Sequence, residues 1–246
     1  MIISPSAISP YKIPTFQSGG EVPFSFGNAL EFDGVNDYVS YPSLTPLNSS
    51  TQASYSFWLK INDTSKRVEI GTAISGFNGF YILYIHPNLL TQIRNGGATS
   101  NTVNITGYNS GWHHFVVVYD GTQAVNDDRI KCYADGIDLS YTSIGGIPTS
   151  LSSSVGNNFR LNNLFGQYGD FIIDELAVYN TALSQSQAVS LFNEGNGDYA
   201  TNYSPANLVG YWRMNGSGTD TTATDETGNY NGTLNNFPAS GMWVAH

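Results

Sequence analysis

Short stretches in which large apolar residues occupy every second position run through most of the chain from residue 28 onward. The alternation is clearest at residues 53–61, and a period of two is the pattern of a β-strand with one buried face. Turn pairs such as Asp33-Gly34 and Asp135-Gly136 separate many of the stretches. The pattern predicts an all-β fold, either a sandwich or a barrel. Further strands are predicted at 29–32, 38–41, 68–74, 80–85, 112–119, 129–134, 171–179 and 209–213.

One short helix is predicted near residues 184–194. Ser184, followed three residues later by Gln187, has the spacing of a capping box at a helix N-terminus. Apolar residues follow at partly helical spacing, and Gly195 is suited to ending the helix. We expect this helix to lie on a sheet edge.

Residues 1–27 differ in character from the rest of the chain. Four prolines and the pair Gly19-Gly20 fall within this segment, and prolines at such spacing exclude a helix or a central strand. We therefore predict an extended, proline-rich attachment arm at residues 1–20. Because Val22, Phe24 and Phe26 alternate, residues 21–246 are assigned to a single domain.

Composition limits the classes of partner. Charged residues make up 11% of the chain and aromatic residues 13%, which is the composition of a folded rather than a disordered protein. Nine basic and nineteen acidic residues give a net charge of −10, which argues against nucleic acid or an anionic membrane as the partner. Cys132 is the single cysteine, so the sequence excludes an internal disulfide and a zinc site built on cysteines.

Four segments, in this order along the chain, are similar to the motifs of one large family. They are 27–39 (GNALEFDGVNDYV), 111–121 (GWHHFVVVYDG), 129–136 (RIKCYADG) and 173–184 (IDELAVYNTALS). On these segments the chain resembles the laminin-G-like, concanavalin A-like lectin/glucanase superfamily over roughly residues 27–235. The resemblance implies a two-sheet antiparallel β-sandwich of the concanavalin A-like jelly-roll type. One fold of this kind hosts many functions, so function must be argued from sites.

The closing segment 208–246 departs from the family order. Residues 208–214 and 225–234 resemble a segment that usually opens such domains. Because the chain ends of a sandwich often lie close together, a permuted order builds the same sheets within one chain. Pairing of this segment with a neighbouring subunit is the alternative.

The carboxylate pattern of the related glucan hydrolases, Glu-x-Asp-x-x-Glu on one strand, is absent from the sequence. The nearest stretch is 170–175, in which Asp170 and Asp174 would share a face with an apolar residue between them. Glu175 is expected to point to the opposite face, so Asp174 is expected to cap a strand end or bind a metal. The pair of carboxyl groups that glycoside hydrolysis requires is therefore not predicted.

Other catalytic groups are also missing from the sequence. His113 and His114 are adjacent on a predicted strand and so face opposite ways, and no Gly-x-Ser-x-Gly motif is present. Cys132 lies in a predicted strand and is expected to be a small buried apolar residue. The sequence predicts a protein that is not an enzyme.

Two acidic turns carry oxygen ligands of the kind that calcium prefers, at residues 33–37 and 225–229. The family resemblance implies a structural calcium near these segments, with Asp33, Asp225 and Asn229 at the matching positions. Asp and Asn residues in turns also hydrogen-bond their own backbone, and this alternative stays open.

Aromatic residues in loops or on strands could stack on sugar rings. Most aromatic residues of a sandwich belong to its core, so the sequence leaves the carbohydrate-binding residues undefined. The aromatic candidates are Trp58, Tyr81, Tyr84, Tyr108 and Tyr168.

Two functions from different classes follow from these observations. The first is a non-catalytic structural or attachment protein of a larger assembly, a bacteriophage virion surface component such as a capsid decoration protein or fibre. It would be made in the host cytoplasm and located on the virion surface, because its N-terminus has no export signal. Its partners would be other virion proteins, copies of itself and a host glycan. The alternative is a carbohydrate-binding module that recognises a cell-surface, plant or algal polysaccharide.

Overall fold

The alternating stretches form the strands of two antiparallel sheets that pack face to face in the computed structural model, which describes residues 25–74, 78–96, 101–157 and 159–246. The predicted attachment arm and the residues Val22 and Phe24 lie outside these ranges. The predicted fold class, a two-sheet antiparallel sandwich with one short helix, is confirmed. Among the described residues, no helix is long and apolar enough to cross a membrane.

Strands are numbered in chain order. The described part of the first sheet has eight strands: β1 (Asn28–Asp33), β3 (Gln52–Ile61), β8 (Trp112–Asp120), β9 (Ile130–Ala134), β10 (Ile137–Leu139), β13 (Asp170–Tyr179), β14 (Leu208–Trp212) and β17 (Trp243–Ala245). Their order across this sheet is β10-β9-β8-β3-β13-β1-β17, and β14 also pairs with β13.

The second sheet has nine strands within the described ranges: β2 (Tyr38–Ser40), β4 (Val68–Ile74), β5 (Asn78–Ile85), β6 (Asn88–Asn95), β7 (Asn101–Asn104), β11 (Tyr141–Ser143), β12 (Phe159–Leu161), β15 (Thr222–Ala223) and β16 (Gly232–Asn235). Their order is β11-β7-β6-β5-β4-β12-β2-β16-β15.

The main core lies between the two sheets and is rich in aromatic rings. Tyr55 and Phe57 of β3 are fully buried there, as the alternation at 53–61 predicts. Phe80 stacks on Tyr55 with 4.3 Å between ring centroids. Side chains at the intervening positions of β3 point to the outer face of the eight-stranded sheet, where a second apolar cluster forms.

The predicted helix is α1 (Gln185–Phe192), and its inner side packs on that outer face through Ala188 and Leu191. The capping box is confirmed, because the Ser184 side chain accepts from the Gln187 amide and the Gln187 side chain accepts from the Ser184 amide. The predicted end at Gly195 is wrong. Asn193 takes the left-handed conformation, with φ of 46°, and ends the helix two residues earlier.

β13 carries a bulge at its middle. Its first half pairs with β1 and its second half with β14 along the same edge, while β3 follows its other edge. Asp174 lies opposite Trp58, and Ala177 lies opposite Ser56, so β13 contains one more residue than β3 between these two pairs. The bulge coincides with the change of partner strand.

Segment 208–246 pairs within the chain. β14 joins β13, β16 joins β2 and β17 joins β1. Trp212 of β14 is fully buried and stacks on Phe159 of the nine-stranded sheet, with ring centroids 5.8 Å apart. The closing segment thus contributes strands to both sheets and a large side chain to the shared core.

We expect Trp212→Ala to lower the free energy of unfolding by about 3–5 kcal/mol, because a large buried ring is replaced by a cavity. Chemical denaturation monitored by circular dichroism measures this change. Val125→Ala, at an exposed residue, is the control and should change stability by less than about 0.5 kcal/mol. A Trp212→Ala protein as stable as the control would show that the closing segment does not complete the core.

Candidate functional site

A cleft of about 540 Å³ opens beside the loop that joins β14 to β15. This volume falls within the range of small-molecule sites in proteins. The lining combines one indole ring with many hydrogen-bonding side chains: Trp243, Arg213, Asn215, Asp220, Glu226 and the hydroxyl-bearing Thr219, Thr221, Thr222 and Thr224. We call this site the Trp243 cleft.

The indole of Trp243 is fixed from two sides. Trp243 pairs with Leu30 of β1, which anchors its backbone at the edge of the eight-stranded sheet. Its Nε1 donates to the carbonyl oxygen of Asp220 over 3.0 Å. A Cβ atom at Gly216 would lie 2.3 Å from Cε2 of the indole, so the ring can occupy this position only because residue 216 is a glycine. The aromatic element of the cleft is therefore held in one orientation.

The loop 214–221 forms one wall and is tied to the sandwich. Asn28 donates its side-chain amide to the carbonyl oxygen of Gly216 over 2.8 Å. The Asp220 carboxylate accepts from the Ser217 amide over 2.9 Å, which closes the tip of the loop. Met214 is buried beneath the loop and takes a left-handed conformation with φ of 54°. These contacts fix the loop while its threonine side chains stay at the surface.

Asp225 organises the opposite wall. Its buried carboxylate accepts from the backbone amides of Tyr211, Thr227, Asn229 and Tyr230 and from the Thr227 hydroxyl, over 2.6 to 3.1 Å. The flanking residues Thr224 and Glu226 both line the cleft. The Asp225 carboxylate thus fixes the turn that places Thr224 and Glu226 at the cleft.

Arg213 connects the cleft to a network beneath it. Its Nε lies 3.1 Å from the Glu175 carboxylate, and its Nη2 donates to the carbonyl oxygen of Ser25 over 2.9 Å. The guanidinium also lies 4.9 Å from the ring centre of Tyr199. The hydroxyl of Tyr211 donates to the second oxygen of Glu175. Arg213 is consequently held in place by a buried acid behind the cleft wall.

The bulge in β13 brings Asp174 and Glu175 to the same side of the sheet. The prediction that Glu175 points away from Asp174 is wrong, because Glu175 takes a left-handed conformation with φ of 50° that interrupts the alternation. Asp174 is not a strand cap either. It lies within β13, and its carboxylate is 2.7 Å from Nδ1 of His246.

His246 lies in an aromatic stack. Its ring is 4.0 Å from that of Trp112 and 3.6 Å from that of Phe26, centroid to centroid, and nearly parallel to both. Trp58 approaches the same imidazole edge-on at 5.7 Å. This stack covers Asp174 on the outer face of the eight-stranded sheet.

Burial controls the protonation of this network. It raises the pKa of Asp174 to about 8 and, together with the adjacent Asp174 charge, raises the pKa of Glu175 to about 8. Burial also lowers the pKa of His246 to about 4. At neutral pH the Asp174–His246 contact therefore holds its proton on the carboxyl group rather than forming a full ion pair.

The network does not present a free carboxylate to a substrate. The two oxygens of Asp174 contact the Glu175 amide and His246, and those of Glu175 contact Arg213 and Tyr211. Asp174 is fully buried and Glu175 is 5% exposed. Although strongly shifted carboxyl groups often mark active sites, this geometry fits a buried structural network.

The histidines and the cysteine have separate surroundings. His113 contacts Asp135 over 2.8 Å, whereas His114 contacts the Ser56 hydroxyl over 2.9 Å on the outer face of the eight-stranded sheet. Burial lowers the pKa of His114 to about 3 and raises that of the Cys132 thiol to about 12. Cys132 is buried, as predicted.

The structure brings two of the predicted calcium ligands, Asp225 and Asn229, together in one turn but places Asp33 away from them. Asp33 lies opposite Asp170 at the start of β13, whereas Asp225 binds the amide of Tyr211, which lies opposite Ala177. Seven residues of strand separate Asp170 from Ala177, or about 20 Å.

The local contacts of these residues also do not fit a shared ion. Asp33 accepts from the Val35 amide over 2.8 Å, Asp225 is engaged by five donors, and the Asn229 side chain donates to the Thr227 carbonyl. Among the described residues, no group of three or more His, Cys, Asp or Glu side chains could hold a metal ion. Calcium binding stays a prediction, without a site assembled from Asp33 and Asp225.

The aromatic candidates lie away from the cleft. Trp58, Tyr81 and Tyr84 are buried, and Tyr108 and Tyr168 are half-buried outside the cleft lining.

Trp243 is not among the residues predicted from the sequence, although the threonine-rich run 219–224 that shares its cleft is visible there.

Comparison with known proteins places the chain among sandwich proteins. A family model described as the concanavalin A-like lectin/glucanases superfamily matches residues 33–189. No curated protein sequence matches the chain. The Trp243 cleft lies beyond the matched residues, in the segment 213–243.

Two solved structures illustrate the likeness. A Bacteroides ovatus ATCC 8483 protein to which carbohydrate binding has been ascribed is 18% identical with a TM-score of 0.62, and the match covers 87% of this chain but only 59% of that protein. The native heptameric SAP-like pentraxin of Limulus polyphemus is 19% identical with a TM-score of 0.53, and the match covers 70% of this chain and 83% of the pentraxin. At these identities the likeness shows the fold alone.

We expect stability to fall as the pH rises from about 4 to about 8, most steeply above pH 6.5. Folded Asp174 and Glu175 hold protons up to about pH 8 that the unfolded chain releases near pH 4, so their contribution is lost as the pH rises. His246 acts at lower pH, because its protonation between pH 6.5 and about 4 favours the unfolded chain. Melting temperatures across this range should show a shallower decline for Glu175→Gln. The control is Glu226→Gln, which alters an exposed acid, and equal slopes in all three proteins would contradict the assignment.

We expect Asp225→Ala to lower the free energy of unfolding by about 3 kcal/mol, since several buried donors lose their acceptor. The loss should be the same with a chelator and with millimolar calcium, as judged by denaturant melts. Asn229→Ala, at an exposed residue of the same turn, should cost much less. A calcium-dependent rise in the wild-type melting temperature that Asp225→Ala abolishes would show instead that Asp225 binds the ion.

Proposed function

The chain belongs to the concanavalin A-like lectin/glucanases superfamily, and we propose that it is a carbohydrate-binding protein that holds a neutral sugar in the Trp243 cleft without catalysing its cleavage. The observation that carries the proposal is the composition of the cleft lining. An indole that lines a cavity among hydroxyl, carboxylate and amide groups matches a ligand with apolar C–H faces and hydroxyl edges.

Donors and acceptors are both available in the cleft. A threonine hydroxyl donates and accepts, a carboxylate accepts from sugar hydroxyls, and the Asn215 amide does both through different atoms. Because the site is held by Asp225, Asn28 and Arg213, these groups need little rearrangement on binding. Preorganisation of this kind raises affinity by reducing the entropy lost on association.

Charge favours a neutral ligand at this site. The Arg213 guanidinium contributes one positive charge to the cleft lining, whereas Asp220 and Glu226, both exposed, contribute two negative charges. The local balance is therefore negative and disfavours acidic sugars. The ascribed carbohydrate binding of the Bacteroides ovatus protein, which shares the fold, supports the same general function.

A non-catalytic role agrees with the buried network, in which every carboxylate oxygen of Asp174 and Glu175 has a partner. The expectation of a bacteriophage virion component, with virion proteins or copies of itself as partners, draws no support from the fold or from the cleft. It stays a separate prediction, as does a location on the virion surface.

We expect Trp243→Ala to weaken binding of a neutral polysaccharide about tenfold or more, equivalent to about 1.4 kcal/mol, because the stacking surface is lost. Affinity electrophoresis against a panel of neutral glucans, mannans and galactans identifies the ligand, and titration calorimetry measures the change. Trp243→Phe should retain part of the affinity, and Tyr168→Ala outside the cleft is the matched aromatic control. Unchanged binding by folded Trp243→Ala, or no binding to any neutral glycan, would overturn the proposal.

A further inference from the structure

The outer face of the nine-stranded sheet has a charge opposite to that of the protein as a whole. Three of the nine basic residues, Arg67, Arg94 and Arg160, lie on this face or at its border. Within the described strands of the nine-stranded sheet, Glu69 is the one acidic residue. Glu69 is buried and pairs with Arg67 over 3.0 Å. The face therefore carries a net positive charge on a chain whose net charge is −10.

Register places the key residues in one row across four strands. Arg160 of β12 lies opposite Gly71 of β4, Gly71 lies opposite Tyr81 of β5, and Tyr81 lies opposite Gln92 of β6. Arg94 follows Gln92 by two positions on the same side. At about 4.8 Å per strand, Arg160 and Arg94 are about 14 Å apart across the sheet.

Each guanidinium is placed against an aromatic ring. Arg67 lies 5.0 Å from the ring centre of Phe165, Arg94 lies 5.6 Å from that of Tyr81, and Arg160 lies 5.5 Å from that of Tyr38. Such contacts orient a planar cation while it remains charged and partly exposed. An oriented guanidinium presents two parallel N–H groups to a carboxylate.

Phe165 stands exposed above this row on a firmly bound loop. It is 44% exposed, and its ring meets Tyr81 edge-on at 5.1 Å. Its backbone amide donates to the buried Glu69 carboxylate over 3.0 Å. Asn162 closes the loop by accepting from the Gly169 amide over 2.9 Å. A buried carboxylate thus holds an apolar ring at the surface, beside Arg67 and against the Tyr81 ring that Arg94 also contacts.

We propose that this face binds an anionic polysaccharide of the uronic-acid class, with Arg160 and Arg94 pairing with carboxylates and Phe165 packing on a sugar ring. Carboxylates spaced once per sugar suit separated guanidinium groups. The denser phosphates of nucleic acid would meet the repulsion of the remaining acidic surface. The site is distinct from the Trp243 cleft, whose charge favours a neutral ligand.

The test is affinity electrophoresis in gels that contain polygalacturonate. We expect the wild-type protein to be retarded, and Arg160→Gln, Arg94→Gln and Phe165→Ala each to weaken binding at least fivefold. Lys131→Gln is the matched control, since it removes one positive charge from the outer face of the other sheet and should change binding less than twofold. Retardation should largely disappear at 1 M salt, where the screening length is about 3 Å.

Trp243→Ala separates this proposal from the proposed function. It should leave polygalacturonate binding intact, and Arg160→Gln should leave neutral-glycan binding intact. No retardation by polygalacturonate, an equal loss from Lys131→Gln, a loss from Trp243→Ala, or equally tight binding of single-stranded DNA would each overturn the acidic-polysaccharide site.

Discussion

The sandwich depends on a bulge in the middle of β13, because that strand has two edges and three neighbours. β3 follows one edge throughout, and β1 and β14 divide the other. The extra residue falls where one partner strand stops and the next begins, and it turns two carboxyl groups to the same side. Burying both is unfavourable unless each oxygen finds a hydrogen-bond partner, and Arg213, Tyr211, the Glu175 amide and His246 satisfy this requirement.

This requirement links the core to the surface. Arg213 is drawn against Glu175 on one side and lines the cleft on the other. Asp225 has a parallel role, because it satisfies four backbone amides and thereby shapes the turn that carries Thr224 and Glu226. The rigid parts of the site are therefore built on buried carboxyl groups, whereas the threonines and Trp243 face the ligand.

The alternation at residues 53–61 predicted β3 correctly, since one face of that strand is buried in the main core. Trp58 occupies an outward position of β3 but is buried, because Phe26, His246, His114 and Phe192 pack around its ring. Glu175 interrupts the period of two because its backbone takes the left-handed conformation. The sequence Asp174-Glu175 gives no sign of this conformation. Trp243 was not predicted because β17 has three residues, too few for a pattern to emerge, and its role depends on Gly216 far away in the chain.

The pairing of β1 with β17 cannot form until late in the synthesis of this chain. Asp33 ends β1 and Trp243 begins β17, so the ribosome must add roughly two hundred residues before the two strands can meet, which takes about 10–40 seconds at ordinary elongation rates. During this interval the nascent chain carries an open strand edge that can pair with another chain. The free edge of β1 is thus exposed to chaperones and to aggregation until the ribosome has added the residues of β17.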